Sequence, residues 1–415
     1  MHRFEATEPS IDLMPVAAAQ ERLLELVSRR VTAEELVPID RGRGRVLSRA
    51  VMSAWALPGC DNSEMDGFAI LTTDCTSASP ATPVRLPVTG ETKAGAVVGM
   101  HVPGTAIAIT TGAAVPLGAD AIVPIEDTRQ DGEVYVLLLA APRPGQYIRR
   151  TGEDVESGQA MLPAGRRLRP VDIAASAAVG ASSLWVRRRP RVAVLSGGDE
   201  LVHVGAIPAP HQVTDSNAAM LAAAVSEAGG EVIDLGIVGD SPDALRARLL
   251  AASGCDLIVT SGGVSVGRHD YVRQVVAELG TIETWRVAMR PGKPVLIGKV
   301  GDTPLLGLPG NPSSSAVTFE LFGRPALLAL QGATRVHRRR IAFRLGEDVD
   351  TPVALETYLR VRLADATDGI PVATLSGGQR SSMLRSLTDA DALLVVPAGT
   401  SRVPAGSVLA GFELE

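Results

Sequence analysis

Residues 191–198 read RVAVLSGG, and the same figure returns at 256–263 as DLIVTSGG: a short apolar run, then a serine and two glycines. Apolar runs of this length without polar alternation suit strands covered on both faces, as in a parallel sheet. Outward from these segments, EVIDLGI (231–237), TWRVAM (284–289), VLIG (295–298) and LLGL (305–308) supply further strand candidates. Helices are predicted to begin near Ser216, Pro242, Asp270 and Ser313, between those strands. Ser241 can cap the helix that opens on Pro242, whose missing N–H would have had no helical partner, and Gly229 and Gly230 suit the end of the helix before it. Strand and capped helix in alternation predict a three-layer α/β domain.

The flanking sequence has a different texture. Residues 15–30 carry apolar residues at helical spacing, and Thr32 with Glu35 forms a capping-box pattern that predicts a second helix. From about 48 to 158, short apolar runs broken by Gly and Pro predict an inserted β-rich module, and after 338 segments such as ETYLRVRL and DALLVVPAG predict a small β-barrel-like domain. The expected division is 10–30 plus 188–338 for the α/β domain, 31–47 plus 159–187 for a bridging domain, 48–158 for the inserted module and 339–415 for the C-terminal domain. The fold class is thus multidomain α/β plus β.

Composition narrows the function. The chain has 415 residues, 46% of them hydrophobic and 21% charged, with a formal net charge of −6. A phosphate-backbone binder needs a dominant basic surface, so nucleic acid is not an expected partner. The arginine runs Arg187–Arg189 and Arg338–Arg340 flank expected domain junctions and read as solvated linkers. No stretch approaches the roughly 20 apolar residues that span a bilayer. Cys60, Cys75 and Cys255 lack disulfide or zinc spacing, which predicts a cytoplasmic chain, and Cys60 is expected to be a packed thiol.

Chemistry is expected in the loops that follow the strands, where open parallel sheets bind ligands. These are Ser196-Gly197-Gly198-Asp199-Glu200, Ser261-Gly262-Gly263-Val264-Ser265 and Pro309-Gly310-Asn311-Pro312. Glycine lets the backbone approach a ligand, and amides at the following helix starts hold oxyanions. A fourth loop, Arg290-Pro291-Gly292-Lys293-Pro294, brings cations beside them, with Arg286 just before it. Arginine grips a tetrahedral oxyanion bidentately, and lysine supplies a compact charge. Acidic candidates are Asp61, Asp66, Asp154, Glu200, Asp240 and Asp270. Each has a plainer reading: Asp270 as a helix cap, Asp240 beside the cap Ser241, Asp61 in an Asx turn. Beside an anion crevice, clustered carboxylates could instead hold Mg²⁺.

As an ordered set, DNSEMDGFA, GETKAG, PGTAIAITTGAAVPLGADAIVPIED, IRRTGEDV, PRVAVLSGGDEL, DSN, SGGVSVG, RPGKP and GLPGNP resemble the succession found in molybdopterin molybdenumtransferases and in the C-terminal region of gephyrin. The resemblance runs from about residue 10 to the C-terminus. It implies an elongated homodimer of four-domain chains whose α/β domain is similar to molybdopterin adenylyltransferases. The implied reaction inserts molybdenum from molybdate into adenylylated molybdopterin, with release of AMP. Other readings of the same motifs are the preceding adenylyl transfer and a non-catalytic molybdopterin-binding scaffold. The resemblance implies catalytic roles for Asp61, Thr111, Asp154 and Glu200. It implies substrate binding at Ser196, Gly197, Ser261, Gly262, Gly263, Ser265, Arg286, Arg290, Lys293, Pro309, Gly310, Asn311 and Pro312, and Mg²⁺ at Asp240 and Asp270. Arg286 and Arg290 stand where related sequences often carry lysine. Contact with the molybdopterin adenylyltransferase, and a site shared between one subunit's α/β domain and the other's Asp61 module, are further implications.

Overall fold

The computed structural model describes residues 13–264 and 271–414. Its centre is a six-stranded sheet in the order Glu231–Val238, Arg191–Gly197, Leu257–Ser261, Thr303–Leu308, Pro294–Val300, Gly280–Arg286. The first four strands run parallel. Pro294–Val300 is antiparallel to both of its neighbours, so Gly280–Arg286 again runs with the parallel set. The sheet is therefore mixed rather than purely parallel, yet the loop after Arg286 opens at the same end as the glycine loops.

Helices cover both faces. Val16–Ser28, Ser216–Glu227, Pro312–Thr318 and Arg324–Leu330 pack on one face around Leu23, Leu221, Leu306, Phe322 and Leu327. Pro242–Ala251 and Tyr271–Leu279 pack on the other around Leu249, Ile258, Val275 and Leu296. Leu257–Ser261 and Thr303–Leu308 are buried along their whole length, the physical reason for their unbroken apolar sequence. Ser241 Oγ accepts from the Ala244 N–H at 3.4 Å, and Gly229 takes a φ of +88° just past the helix Ser216–Glu227, both as the sequence predicts.

The capping-box expectation at Thr32 and Glu35 fails. Glu34–Pro38 is a strand paired antiparallel with Ser183–Arg187. Thr32 Oγ1 donates to the Arg188 carbonyl instead, and Glu35 pairs with Arg45. A capping box saves a few local hydrogen bonds, whereas a distant strand offers a whole ladder. The arginine runs are not merely solvated either. Arg188 grips Asp256 with two bonds of 2.9 and 3.0 Å, and Arg338 bonds Glu320 at 2.6 Å, so both help join separate parts of the chain.

Two β units flank this core. Ala121–Pro124, Gly67–Ile70, Ala106–Ile109, Val84–Thr92, Tyr135–Leu138 and Thr128–Asp131 form a second six-stranded sheet with its own core of Ile70, Val123, Val136 and Leu138. Near the C-terminus, Ile341–Leu345, Val372–Leu375, Glu356–Ala364, Ala392–Val396 and Val408–Glu413 close into a five-stranded barrel around Phe343, Leu359, Val361 and Leu394. The sequence run TWRVAM splits between units. Gly280–Arg286 stays in the central sheet, while Met289–Arg290 pairs with Glu356–Thr357 at the barrel's edge.

Candidate functional site

The glycine loops meet in one crevice of about 820 Å³, within the size range of sites that hold cofactor-sized ligands. Gly197, Gly198, Glu200, Asp215, Asn217, Asp240, Ser261, Gly262, Gly263, Pro309, Gly310, Asn311 and Pro312 line it. Of the residues the sequence singled out, the crevice thus gathers Glu200, Asp240 and most of the three loops. Ser265 and Asp270 lie outside the described residues.

Close backbone approach explains the glycines. A Cβ on Gly262, whose φ is +84°, would stand 2.6 Å from the Gly197 carbonyl oxygen, and one on Gly198 would stand 2.5 Å from a Glu200 carboxylate oxygen. The Gly262 N–H donates to the Leu308 carbonyl at 3.0 Å, which ties the second loop to the third. Asn217 continues the tie, its Nδ2 donating to Ser261 Oγ at 2.8 Å and to the Gly310 carbonyl at 2.7 Å. Asn217 belongs to the DSN motif and was not among the expected site residues. Ser196 is buried, and its Oγ has no hydrogen-bond partner among the described residues.

The cationic loop opens a second cavity lined by Arg290, Gly292, Lys293, Ser314, Gln379, Arg380, Ser381 and Ser382. The two cavities share Pro294, Pro309, Asn311 and Ser382, so they are continuous. The barrel supplies one wall through Asn311 Nδ2, which donates to Ser381 Oγ at 3.1 Å, and through Ser313 Oγ, which donates to the Met383 carbonyl at 2.6 Å. Gly292, at a φ of +99°, has room only for a hydrogen, because a Cβ would meet Thr318 Cγ2 at 2.3 Å.

Sequence reasoning missed Arg360. This guanidinium is fully buried in the barrel, donating from Nε to Ser386 Oγ at 2.9 Å and from Nη2 to the Gly378 and Arg380 carbonyls at 3.0 and 3.2 Å. Among the described residues its Nη1 has no partner and it has no carboxylate. Burial lowers its pKa, and the nearby positive charge of Arg290 lowers it further. A buried cation beside a second cation is an unfavourable arrangement that an anion relieves. No local pattern in ETYLRVRL marks this arginine, because its burial depends on barrel closure.

Asp61, Thr111 and Asp154 do not line the crevice. They sit together on adjoining segments of the other β unit. Asp61 Oδ2 accepts from Arg150 Nη1 at 2.6 Å, and Asp61 Oδ1 accepts from the Thr151 N–H at 2.8 Å and from Thr151 Oγ1 at 3.0 Å. These bonds take the place of the Asx turn, the plainer alternative for Asp61, and hold the carboxyl below its ordinary pKa, the Thr151 amide contributing most and Arg150 also contributing. Asp66 Oδ1 accepts from the Thr111 N–H at 2.6 Å and from Thr111 Oγ1 at 2.9 Å, which lowers its pKa in the same way. The Asp154 N–H donates to the Leu57 carbonyl at 3.0 Å, bringing that residue beside the segment that carries Asp61. Cys60 is exposed, not packed as expected.

The chain is similar to known proteins along its length. A family model described as the MoeA N-terminal region (domain I and II) matches residues 14–180, a probable molybdopterin binding domain matches 193–329, and the MoeA C-terminal region (domain IV) matches 342–410. Molybdopterin molybdenumtransferase 2 of Mycobacterium tuberculosis is 38% identical over 402 residues, covering 93% of this chain and 98% of that one. The molybdopterin molybdenumtransferase of Bacillus subtilis is 34% identical over 399 residues, covering 95% and 92%. The solved structure of the molybdopterin biosynthesis MoeA protein from Pyrococcus horikoshii OT3 superposes with a TM-score of 0.79 at 26% identity, covering 97% of this chain and 100% of that one. Three family matches in order and relatives spanning nearly the whole chain lead to one conclusion: the chain belongs to the molybdopterin molybdenumtransferase family.

Proposed function

We propose that this enzyme inserts molybdenum from molybdate into the dithiolene of adenylylated molybdopterin, releasing AMP and forming molybdenum cofactor. The observation that carries the reading is the continuity of the glycine-lined crevice with the cationic cavity of Arg290, Lys293 and Arg380, behind which Arg360 lies buried and bonded to the Arg380 carbonyl. Such a site can hold a large phosphorylated ligand against loop amides while a small oxyanion waits beside it. Ser196, Gly197, Ser261 to Gly263 and Pro309 to Pro312 bind the nucleotide-bearing substrate. Arg286, Arg290 and Lys293 draw in molybdate.

Glu200, with Asp61, Thr111 and Asp154, acts on the adenylyl bond or at metal insertion. Because the last three do not line the crevice of their own chain, the reading requires a homodimer in which the second copy brings them to it. Exposed Val97, Met100, Val102 and Leu117, on the unit that carries Thr111, support burial of that unit against a partner. The four-domain division 10–30 plus 188–338, 31–47 plus 159–187, 48–158 and 339–415 is its frame, supported by distinct cores in the last three, while the α/β core extends onto the barrel's outer face through Tyr358, Leu393, Val395 and Phe412.

Mg²⁺ fits the donor chemistry of the crevice. The ion needs only one or two protein carboxylates and takes its other oxygens from water and phosphate, and Asp240 lines the crevice beside the Asp199 carboxylate that accepts its N–H at 2.9 Å. Asp240, with Asp270, would hold the ion, which would neutralise phosphate charge. Three free cysteines accord with a reducing cytoplasm. None of the described helices is long and apolar enough to cross a membrane. Contact with a molybdopterin adenylyltransferase, whose product is this substrate, completes the proposed partners. No observation favours adenylyl transfer or a scaffold role.

The test is AMP release and molybdenum incorporation by the purified chain given adenylylated molybdopterin, Mg²⁺ and molybdate, with Asp61→Ala alongside. Molybdate-dependent AMP release that the variant loses supports the reading. Tight substrate binding without conversion leaves only a carrier.

A further inference from the structure

The strand Gly280–Arg286 ends on an aromatic residue and a cation that act together. The Arg286 guanidinium lies 4.6 Å from the centroid of the Trp285 ring, and Arg273, from the helix Tyr271–Leu279, lies over the same ring at 4.2 Å. Trp285 Nε1 donates to the Val264 carbonyl at 2.9 Å, and Val264 lines the crevice. One indole thus supports two cations and anchors the end of the Ser261–Val264 loop.

Neither arginine forms a salt bridge among the described residues, although Arg22, Arg246, Arg344 and Arg402 all find carboxylates. The ring quadrupole attracts each guanidinium without cancelling its charge, so both remain without a countercharge among the described residues. A tetrahedral oxyanion supplies the missing countercharge. Stacking also prepares arginine for this task. The flat face rests on the indole while the N–H donors at its edge stay free for bidentate bonds, a geometry that an ammonium group lacks.

Packing alone would account for Trp285, which leans on the core beneath the outer helices. It would not account for an indole N–H bonded to a crevice loop, nor for two arginines collected there without a carboxylate.

We infer that Trp285 is a positioning residue that presents Arg286, together with Arg273, to a tetrahedral oxyanion beside the Val264 end of the crevice loop. The inference rests on the proposed function only for the choice of oxyanions, molybdate or the phosphate of the adenylate.

Equilibrium dialysis of the full chain against molybdate alone and AMP alone tests it. Trp285→Leu and Arg273→Gln each weaken binding of one of these anions about tenfold, the effect of losing one charge-assisted hydrogen bond. Trp285→Phe, which keeps the ring and loses the N–H, stays within about threefold of the parent. The anion that responds identifies the source. Arg273 is exposed, so its variant decides the matter if Trp285→Leu folds poorly. Parental affinity for both anions in Trp285→Leu and Arg273→Gln overturns the inference.

AMP release in the complete reaction separates the two readings. If Arg360→Met abolishes turnover while the Trp285 and Arg273 variants bind and turn over as the parent does, this inference fails and the function stands. If the parent releases no AMP yet these variants still lose oxyanion affinity, the function fails and the inference stands.

Discussion

Arg150 Nη1 stands 2.6 Å from Asp61 Oδ2, while the amide of the next residue, Thr151, reaches Asp61 Oδ1 at 2.8 Å. Asp61 is therefore held ionised, led by the Thr151 amide and reinforced by Arg150, with its pKa below the ordinary carboxylate value. An acid with a depressed pKa is charged above that pKa and loses its charge only as pH falls through it.

The first expectation concerns pH. Molybdate-dependent AMP release should stay level from pH 8 to pH 6 as far as Asp61 is concerned and decline only well into the acid range. Arg150→Met removes one of the groups that depress the pKa, so the acid limb of kcat/KM should move to higher pH. Asp61→Asn should reduce kcat by about 100-fold or more at every pH, the usual scale for a lost acid–base group. An unmoved acid limb in Arg150→Met would show that this pair does not govern Asp61.

Arg360 allows a second test. Its Nη1 has no partner among the described residues, and Arg290 lies close enough to depress its pKa. Arg360→Met should weaken molybdate binding in equilibrium dialysis by about tenfold or more and lower stability by about 2 kcal/mol through the orphaned Gly378, Arg380 and Ser386 groups. Arg360→Lys should recover less than half of the lost binding free energy, since a point charge cannot reproduce the fork. Normal molybdate affinity in Arg360→Met would remove this residue from the site.

Glycine at 262 and 292 makes a third. Both have positive φ, and an added Cβ would meet Gly197 O at 2.6 Å or Thr318 Cγ2 at 2.3 Å. Each Gly→Ala variant should lose about 1–3 kcal/mol in denaturant unfolding. Gly262→Ala should also raise the KM for the adenylylated substrate, because it separates the two loops proposed to bind it. Gly292→Ala should act on molybdate instead. Equal effects of both variants on both substrates would contradict the division into two cavities.

Asp172 supplies a fourth expectation, independent of the site. Burial pushes its carboxyl pKa up, but hydrogen bonds from Arg166, from the Arg169 amide and from the Arg169 side chain outweigh it and bring the pKa to about 2. The group is buried, so its charge adds about 2 kcal/mol of stability. That contribution is fully present above the unfolded carboxylate pKa near 4 and is lost as pH falls towards 2. Thermal melts of Asp172→Asn and the parent should differ most above pH 4 and converge towards pH 2.

Much of the α/β core was legible in the chain because the deciding signals are local. Apolar runs ending on Ser-Gly-Gly, the Ser241 cap with Pro242, and Gly229 past a helix end each express a preference of a few neighbouring residues. The crevice was legible for the same reason: strands that run together must open their following loops at one edge. Glu34–Pro38 escaped because its strand partner lies about 150 residues away, and that pairing overrides a valid local capping signal. The joining roles of Arg188 and Arg338 escaped likewise, since each depends on a carboxylate in another element, Asp256 or Glu320, that no local pattern pairs with it.

The site itself divides along the same line. Sequence by itself determined which loops meet at the crevice, because only glycine tolerates their close backbone approach. Tertiary structure alone decided that Arg360 is a buried, incompletely paired cation beside Arg290, that Trp285 gathers two arginines against the Val264 loop, and that Asp61 is ionised by Arg150 and Thr151. Burial and electrostatic partnership depend on distances between segments far apart in the chain, and no local pattern of residues encodes those distances.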